Sequence, residues 1–199
     1  IRHMQTSNDK VAIRRADRPP LLRIALVFYG VLFILAVLWR AVYDGQWVLA
    51  VHWPRLRWGY EGLLLGVGFL VALLFEVAGQ RFSAKVRTIM LDIGQLIKGA
   101  TMSELMLLAL VSAIAEEAFF RGALQPVAGI WLTAAIFGIV HIPLKRQHLF
   151  WPVYAALMGV VLGLLAEWGG DLSSCIALHF AVNALGLVFI ARTPSKIRV

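Results

Sequence analysis

The stretch LLRIALVFYGVLFILAVLWRAVY, Leu21 to Tyr43, decides the fold class. It is longer than the roughly 20 apolar residues that a helix needs to cross the hydrocarbon core of a bilayer. The rest of the chain has the same character. Of its 199 residues, 60% are hydrophobic, and the mean hydropathy is +0.79. That is too apolar for an ordinary soluble domain and indicates an all-α, polytopic transmembrane helical bundle. The formal net charge of +8 raises the question of nucleic acid. However, Lys and Arg flank the apolar runs instead of lining a polar face with interleaved aromatics, so they read as orientation signals and no nucleic-acid partner is implied. The single cysteine, Cys175, excludes an internal disulfide and a thiolate metal cluster and reads as a packing residue.

Further apolar runs follow at Glu61–Gly79, Met106–Val127, Ile130–Ile142, Trp151–Glu167 and Leu172–Ala191, making about six spans, of which the fourth and fifth are short. Between the second and third, Arg81–Lys98 carries Val86, Ile89, Met90, Ile93 and Ile97 at helical spacing, the pattern of a short amphipathic helix on the membrane surface. With the N-terminus inside, Lys10, Arg14, Arg15, Arg18, Arg23, Arg81, Lys85, Arg87, Lys98, Lys145, Arg146, Arg192, Lys196 and Arg198 all fall on the cytoplasmic side. The opposite side holds Arg55 and Arg57, with Arg40 near that interface, so both termini are expected in the cytoplasm. Trp47, Trp53, Trp58, Trp131, Trp151 and Trp168 fall near span ends, where indole rings prefer the headgroup region. There is no internal repeat, and residues 1–199 read as a single domain. Ile1–His3 read as a cloning remnant, and no cleavable signal peptide is evident.

Within the spans the ionisable or strongly polar groups are few: Glu76, Glu116, Glu117, Arg121, His141, His179 and Asn183. Each is costly to bury unpaired, so each is a functional-site hypothesis. Glu76 lies near a span end and reads as interfacial. In AEEAFFRG, Ala115–Gly122, Glu117 and Arg121 are four apart and stack on one helical face as an ion pair, while Glu116 points elsewhere. His141 follows Phe137 by four residues, and Asn183 follows His179 by four, so each pair shares a face. A lone membrane histidine often only bridges helices. Two histidines, an asparagine and a Glu-Glu pair on three spans describe a polar pocket within the membrane.

Two hydrolytic chemistries fit that pocket. Glu116 and His141 can deprotonate a water that attacks an amide carbonyl while His179 and Asn183 donate to the oxyanion. Alternatively, two histidines and a glutamate match the ligand set of a catalytic zinc, although the H-E-x-x-H helix motif is absent. No G-x-S-x-G elbow, no base beside the one cysteine and no pair of intramembrane aspartates supports a serine, cysteine or aspartyl mechanism. A non-catalytic immunity or peptide-binding membrane protein would use the same pocket for capture. A proton-coupled transporter would need a pair of broken helices that the sequence does not show.

The motifs EEAFFR, FGIVH and HFAVN, in this order between about Ser103 and Ile190, resemble the three signatures of the CPBP family of glutamic-type intramembrane proteases, also called the ABI or CAAX-protease type 2 family. The resemblance implies that Glu116 and His141 activate water, that His179 and Asn183 stabilise the oxyanion, and that Glu117, Arg121 and Phe137 support the site. It also implies catalysis without a metal cofactor, although the family was once held to use zinc. Eukaryotic members trim prenylated CAAX proteins, whereas bacterial relatives are associated with bacteriocin immunity, peptide-signal maturation or sorting-signal processing. The short chain and minimal loops point to a bacterial inner-membrane protein acting on a membrane-anchored peptide or protein.

Overall fold

A computed structural model describes residues 21–43, 58–82, 84–142 and 149–192. Ile1–His3, Lys10, Arg14, Arg15, Arg18, Trp47, Trp53, Arg55, Arg57, Lys145, Arg146, Lys196 and Arg198, and the side chain of Glu76, lie outside the described residues. The described elements are helical throughout: α1 (Leu21–Tyr43), α2 (Trp58–Phe82), α3 (Ala84–Leu96), α4 (Met102–Glu117), a π-helical segment (Ala118–Leu124), α5 (Gln125–Val140), α6 (Phe150–Gly169) and α7 (Ser173–Arg192).

Four stretches are long and apolar enough to cross a bilayer: Leu22–Tyr43, Met102–Val140, Phe150–Gly169 and Ser173–Arg192. The second, however, is not one straight rod. Gly129 adopts φ 73° and ψ 169° inside it, a backbone conformation that side chains with a Cβ rarely take. In an unbroken helix Phe120 and Phe137 would stand about 25 Å apart. Their ring centroids are 4.9 Å apart, so the chain reverses at Gly129 and the stretch is two antiparallel arms, as the separate apolar runs predict. The second arm, from Ile130 to Val140, is about 16 Å long, short for a full crossing. α2, with 25 residues, reaches about 37 Å.

The helices approach closely where side chains are small. A Cβ on Gly68 of α2 would stand 2.8 Å from the Ala181 Cβ of α7, and one on Gly138 of α5 would stand 2.7 Å from the Pro152 carbonyl oxygen of α6. Without a hydrophobic drive between helices in lipid, such approach is what packing energy depends on. The outward faces are the greasy ones, with Val27, Val42, Leu74 and Ile139 all exposed. Trp131 and Trp168 project outward near the Gly129 reversal and the end of α6, at 77% and 75% exposure. Trp151 instead packs with Ile89 and Met90, the apolar stripe of the amphipathic helix α3, which thereby seals one end of the bundle.

Candidate active site

The site is built outward from α4. Its start is set by a capping box: the Thr101 hydroxyl accepts from the Glu104 amide at 3.3 Å, and the Glu104 carboxylate accepts from the Thr101 amide at 2.6 Å. After 16 residues α4 ends at the two glutamates and the helix widens, with the Gln125 amide bonding to the Phe120 carbonyl in i→i+5 fashion. Such π segments are rare and concentrate at functional sites.

Glu117 is fully buried, and its Oε1 has two donors: Arg121 Nη1 at 2.9 Å and His179 Nδ1 at 2.6 Å. Arg121 continues to the Gly159 carbonyl at 3.1 Å, and its guanidinium lies 4.5 Å from the Phe137 ring centroid. One turn further, Gln125 Nε2 donates to the Gly163 carbonyl at 3.0 Å. Glu117, Arg121 and Gln125 therefore form a polar stripe at four-residue spacing. It faces two glycines of α6, also four apart, that leave their carbonyls open.

Glu116 points the other way. Its Oε2 is buried and has no hydrogen-bond partner among the described residues. It stands 3.9 Å from His141 Nε2 and 4.0 Å from His179 Nε2. The tautomers follow from the partners. His141 Nδ1 lies 2.6 Å from the Phe137 carbonyl oxygen, and His179 Nδ1 lies against a carboxylate; both partners only accept, so both Nδ1 atoms carry hydrogen and both Nε2 atoms face Glu116. Phe137 holds this arrangement from the centre, its ring 4.5 Å from the imidazole of His141 and 6.1 Å from that of His179. Asn183 donates from Nδ2 to the Ser112 hydroxyl at 3.0 Å, which leaves its second amide hydrogen uncommitted. Cys175 is buried with no exposure, as a packing residue would be.

Glu116, Glu117, Arg121, Phe137, His141, His179 and Asn183 thus meet in one place. The pairing of Glu117 with Arg121 is present, but the carboxylate also orients His179, which spacing alone did not reveal. Missed by sequence were Ser112, Gln125 and Tyr29. Ser112 precedes Glu116 by four and Gln125 follows Arg121 by four, a signal available in the i,i+4 pattern. Tyr29 of α1 had no such marker.

Ser112, Glu116, His141, His179 and Asn183 form the polar part of the lining of a cavity of about 380 Å³. Its walls are apolar and come from the beginning of α1 (Ala25, Tyr29), from α3 (Ile89, Met90, Ile93), from the beginning of α6 (Trp151, Tyr154) and from the end of α7 (Leu187, Ile190). The polar groups sit where a few convergent donors and acceptors would orient a largely apolar ligand.

Residues 98–185 match the model of the family described as type II CAAX prenyl endopeptidase Rce1-like, a segment that contains Glu116, Glu117, Arg121, Phe137, His141, His179 and Asn183. Over 85 residues the chain is 33% identical to the uncharacterized protein YpbD of Bacillus subtilis (strain 168), covering 43% of this chain and 44% of the relative. The chain therefore spans less than half the length of that relative. No solved structure matches it. Residues 98–185 are thus similar to the Rce1-like type II CAAX prenyl endopeptidases, in line with the resemblance carried by the three sequence motifs.

Proposed function

We propose that this chain is an intramembrane endopeptidase that hydrolyses a peptide bond of a membrane-anchored peptide or protein with a water activated by Glu116 and His141. The carrying observation is the buried, unpartnered Glu116 Oε2 at 3.9 Å from His141 Nε2. One water at about 2.8 Å from each atom closes a gap of that width, with one hydrogen on each acceptor. Glu116 takes a proton from that water, and the resulting hydroxide adds to the carbonyl carbon. The oxyanion accepts from the free amide hydrogen of Asn183 and from Nε2–H of His179 in its imidazolium form, whose Nδ1–H rests on Glu117. Collapse breaks the C–N bond, and the proton held by Glu116 passes to the leaving amine, so one water is consumed and a carboxylic acid and an amine are released.

The cavity wall formed by α3 and by the beginnings of α1 and α6 is the substrate's path. The Lys/Arg distribution supports a cytoplasmic position for that end of the bundle, and a bacterial inner membrane is part of the same reading. Comparative proteomics of membrane fractions from cells expressing wild type and Glu116→Gln tests the reading. A precursor that persists only with Glu116→Gln is expected. Full processing by the variant sinks the proposal, and an unchanged phenotype without any cleaved product would make the chain a binding or immunity protein.

A zinc hydrolase is the second reading, favoured by the two imidazoles that are each anchored at Nδ1 with Nε2 turned inward, the support seen behind metal-binding histidines. Against it, 3.9 and 4.0 Å exceed the roughly 3.3 Å between tetrahedral ligands of zinc, and no cluster of three His, Cys, Asp or Glu side chains among the described residues is close enough to hold an ion. Stoichiometric zinc in active protein, with loss of activity on chelation and recovery on zinc addition, would reverse that preference.

A further inference from the structure

α7 presents one face to the cavity: His179, Asn183, Gly186, Leu187 and Ile190 all line it, at the three- and four-residue spacings that stack along a helix. Gly186 is the member with no side chain. Other glycines of the molecule have evident causes. A Cβ on Gly68, Gly138, Gly159 or Gly163 would stand between 2.7 and 3.1 Å from atoms of a neighbouring helix, and Gly99, Gly129 and Gly170 have a positive φ. A Cβ on Gly186 would meet nothing within 4 Å, and its φ is not positive. Glycine weakens a helix interior relative to alanine. Here neither packing nor backbone requires it, and what it leaves is open space in the cavity, one turn past Asn183.

We propose that the space over Gly186 is the subsite for a bulky apolar side chain, aromatic or long aliphatic, on the substrate residue that flanks the scissile bond, and that Gly186 sets the size of side chain admitted. The inference rests on the function proposed above and narrows its substrate class. From Asn183 to Gly186 the helix rises about 4.5 Å. Consecutive Cα atoms of a peptide are about 3.8 Å apart, so when the scissile carbonyl accepts from Asn183, a flanking side chain falls one turn along α7. The cavity extends along α7 in that direction. Among the described residues its lining on α7 begins at His179, and Cys175, one turn earlier, is closed into the core with Leu162 and Leu178. Around and beyond Gly186 the walls are Leu187 and Ile190, with Ile89, Met90 and Ile93 of α3, which pack against Ile190. The described lining contains no Lys, Arg or Asp, so a charged side chain placed there would be desolvated without a partner. A cavity of about 150 Å³ already accepts a benzene ring. The cavity of about 380 Å³ therefore has room for the scissile peptide and a ring-sized side chain together.

The test uses the full chain in detergent carrying Glu116→Gln, so that peptides bind without being consumed. The probes are two acetylated peptide amides of Ala and Ser that differ in one central residue, Phe or Ala. The Phe peptide is expected to bind roughly tenfold tighter or more, the scale on which a hydrophobic pocket discriminates by size. Adding Gly186→Leu, which fills the space without a clash, should remove that preference by weakening the Phe peptide while the Ala peptide keeps its affinity. Gly186→Ala should fall between, and the thermal midpoints of both variants should stay near that of the parent. Equal weakening of the two peptides by Gly186→Leu overturns the inference, since it would reflect repacking of the whole site. So does a preference for Phe that survives Gly186→Leu, or a parent that binds neither peptide or both alike. Because binding is read without turnover, the protease reading is decided separately, by whether Glu116→Gln blocks processing in cells. A chain that binds as described and never cuts would lose that reading and keep the subsite.

Discussion

One oxygen of Glu117 carries two donors, and much of the site depends on it. Arg121 and His179 both bond Oε1, while Glu117 Oε2 and Arg121 Nε are buried with no hydrogen-bond partner among the described residues. Glu117→Ala leaves Arg121 buried with no counter-charge and is expected to destabilise the protein by about 3–5 kcal/mol, measured by denaturation in detergent. Glu117→Gln keeps an oxygen for both donors but loses the charge behind the imidazolium. Activity is then expected to fall roughly a hundredfold with folding retained, the behaviour of the orienting member of a triad. Equal stability loss in both variants would reduce Glu117 to a packing role. At this scale the sequence was informative wherever a charge had to be buried: Glu116, Glu117, Arg121, His141 and His179 stand out because lipid penalises each of them. It was silent on the bond between Glu117 and His179, because a separation of 62 positions along the chain says nothing of how α4 and α7 are rotated toward each other. It was equally silent on Tyr29, since a tyrosine in a span is unremarkable until its neighbours are known.

The helices themselves were legible to within a few residues, since apolar length and the Gly-flanked break between Val127 and Ile130 are written directly in the chain. The π segment was not. Nothing in AFFRGAL distinguishes i→i+5 from i→i+4 closure before the packing around it is known. The glycines of α5 also separate by mechanism. Gly129 needs its positive φ but has nothing within 4 Å of where a Cβ would stand, so Gly129→Ala meets backbone strain alone, about 1–3 kcal/mol. Gly138→Val would drive its side chain into the Pro152 carbonyl and Ala156, contacts that only a movement of α6 relieves. Because α5 ends at His141, that movement reaches the site. Gly138→Val is expected to lower both the thermal midpoint and turnover, whereas Gly129→Ala lowers the midpoint and leaves turnover close to wild type. Thermal unfolding paired with a processing assay distinguishes the two, and matching losses of turnover would show that α5 does not hold His141 in place.

At the scale of the whole molecule, the cavity draws its walls from α1, α3, α4, α6 and α7, so no local pattern could have outlined it. Only its polar end was foreseeable. The charge bias yields a test of orientation: in a Cys175→Ser background, a cysteine at Gln46 should react with a membrane-impermeant thiol reagent on intact spheroplasts, and one at Gln147 only after permeabilisation. The opposite pattern would invert the topology. The Glu117–Arg121 pair also bears on how such a chain enters the membrane during synthesis. A lone Arg at the centre of a span raises the free energy of insertion by about 2.5–3.5 kcal/mol. Because this pair is complete within one helix, at 2.9 Å, its charges can cancel as soon as that segment leaves the ribosome, before any other helix is there to receive them. His179 and Asn183 arrive only with α7. A nascent chain therefore carries its glutamates into the bilayer disarmed, and the site proposed to cut is assembled only when the last of these helices has been delivered.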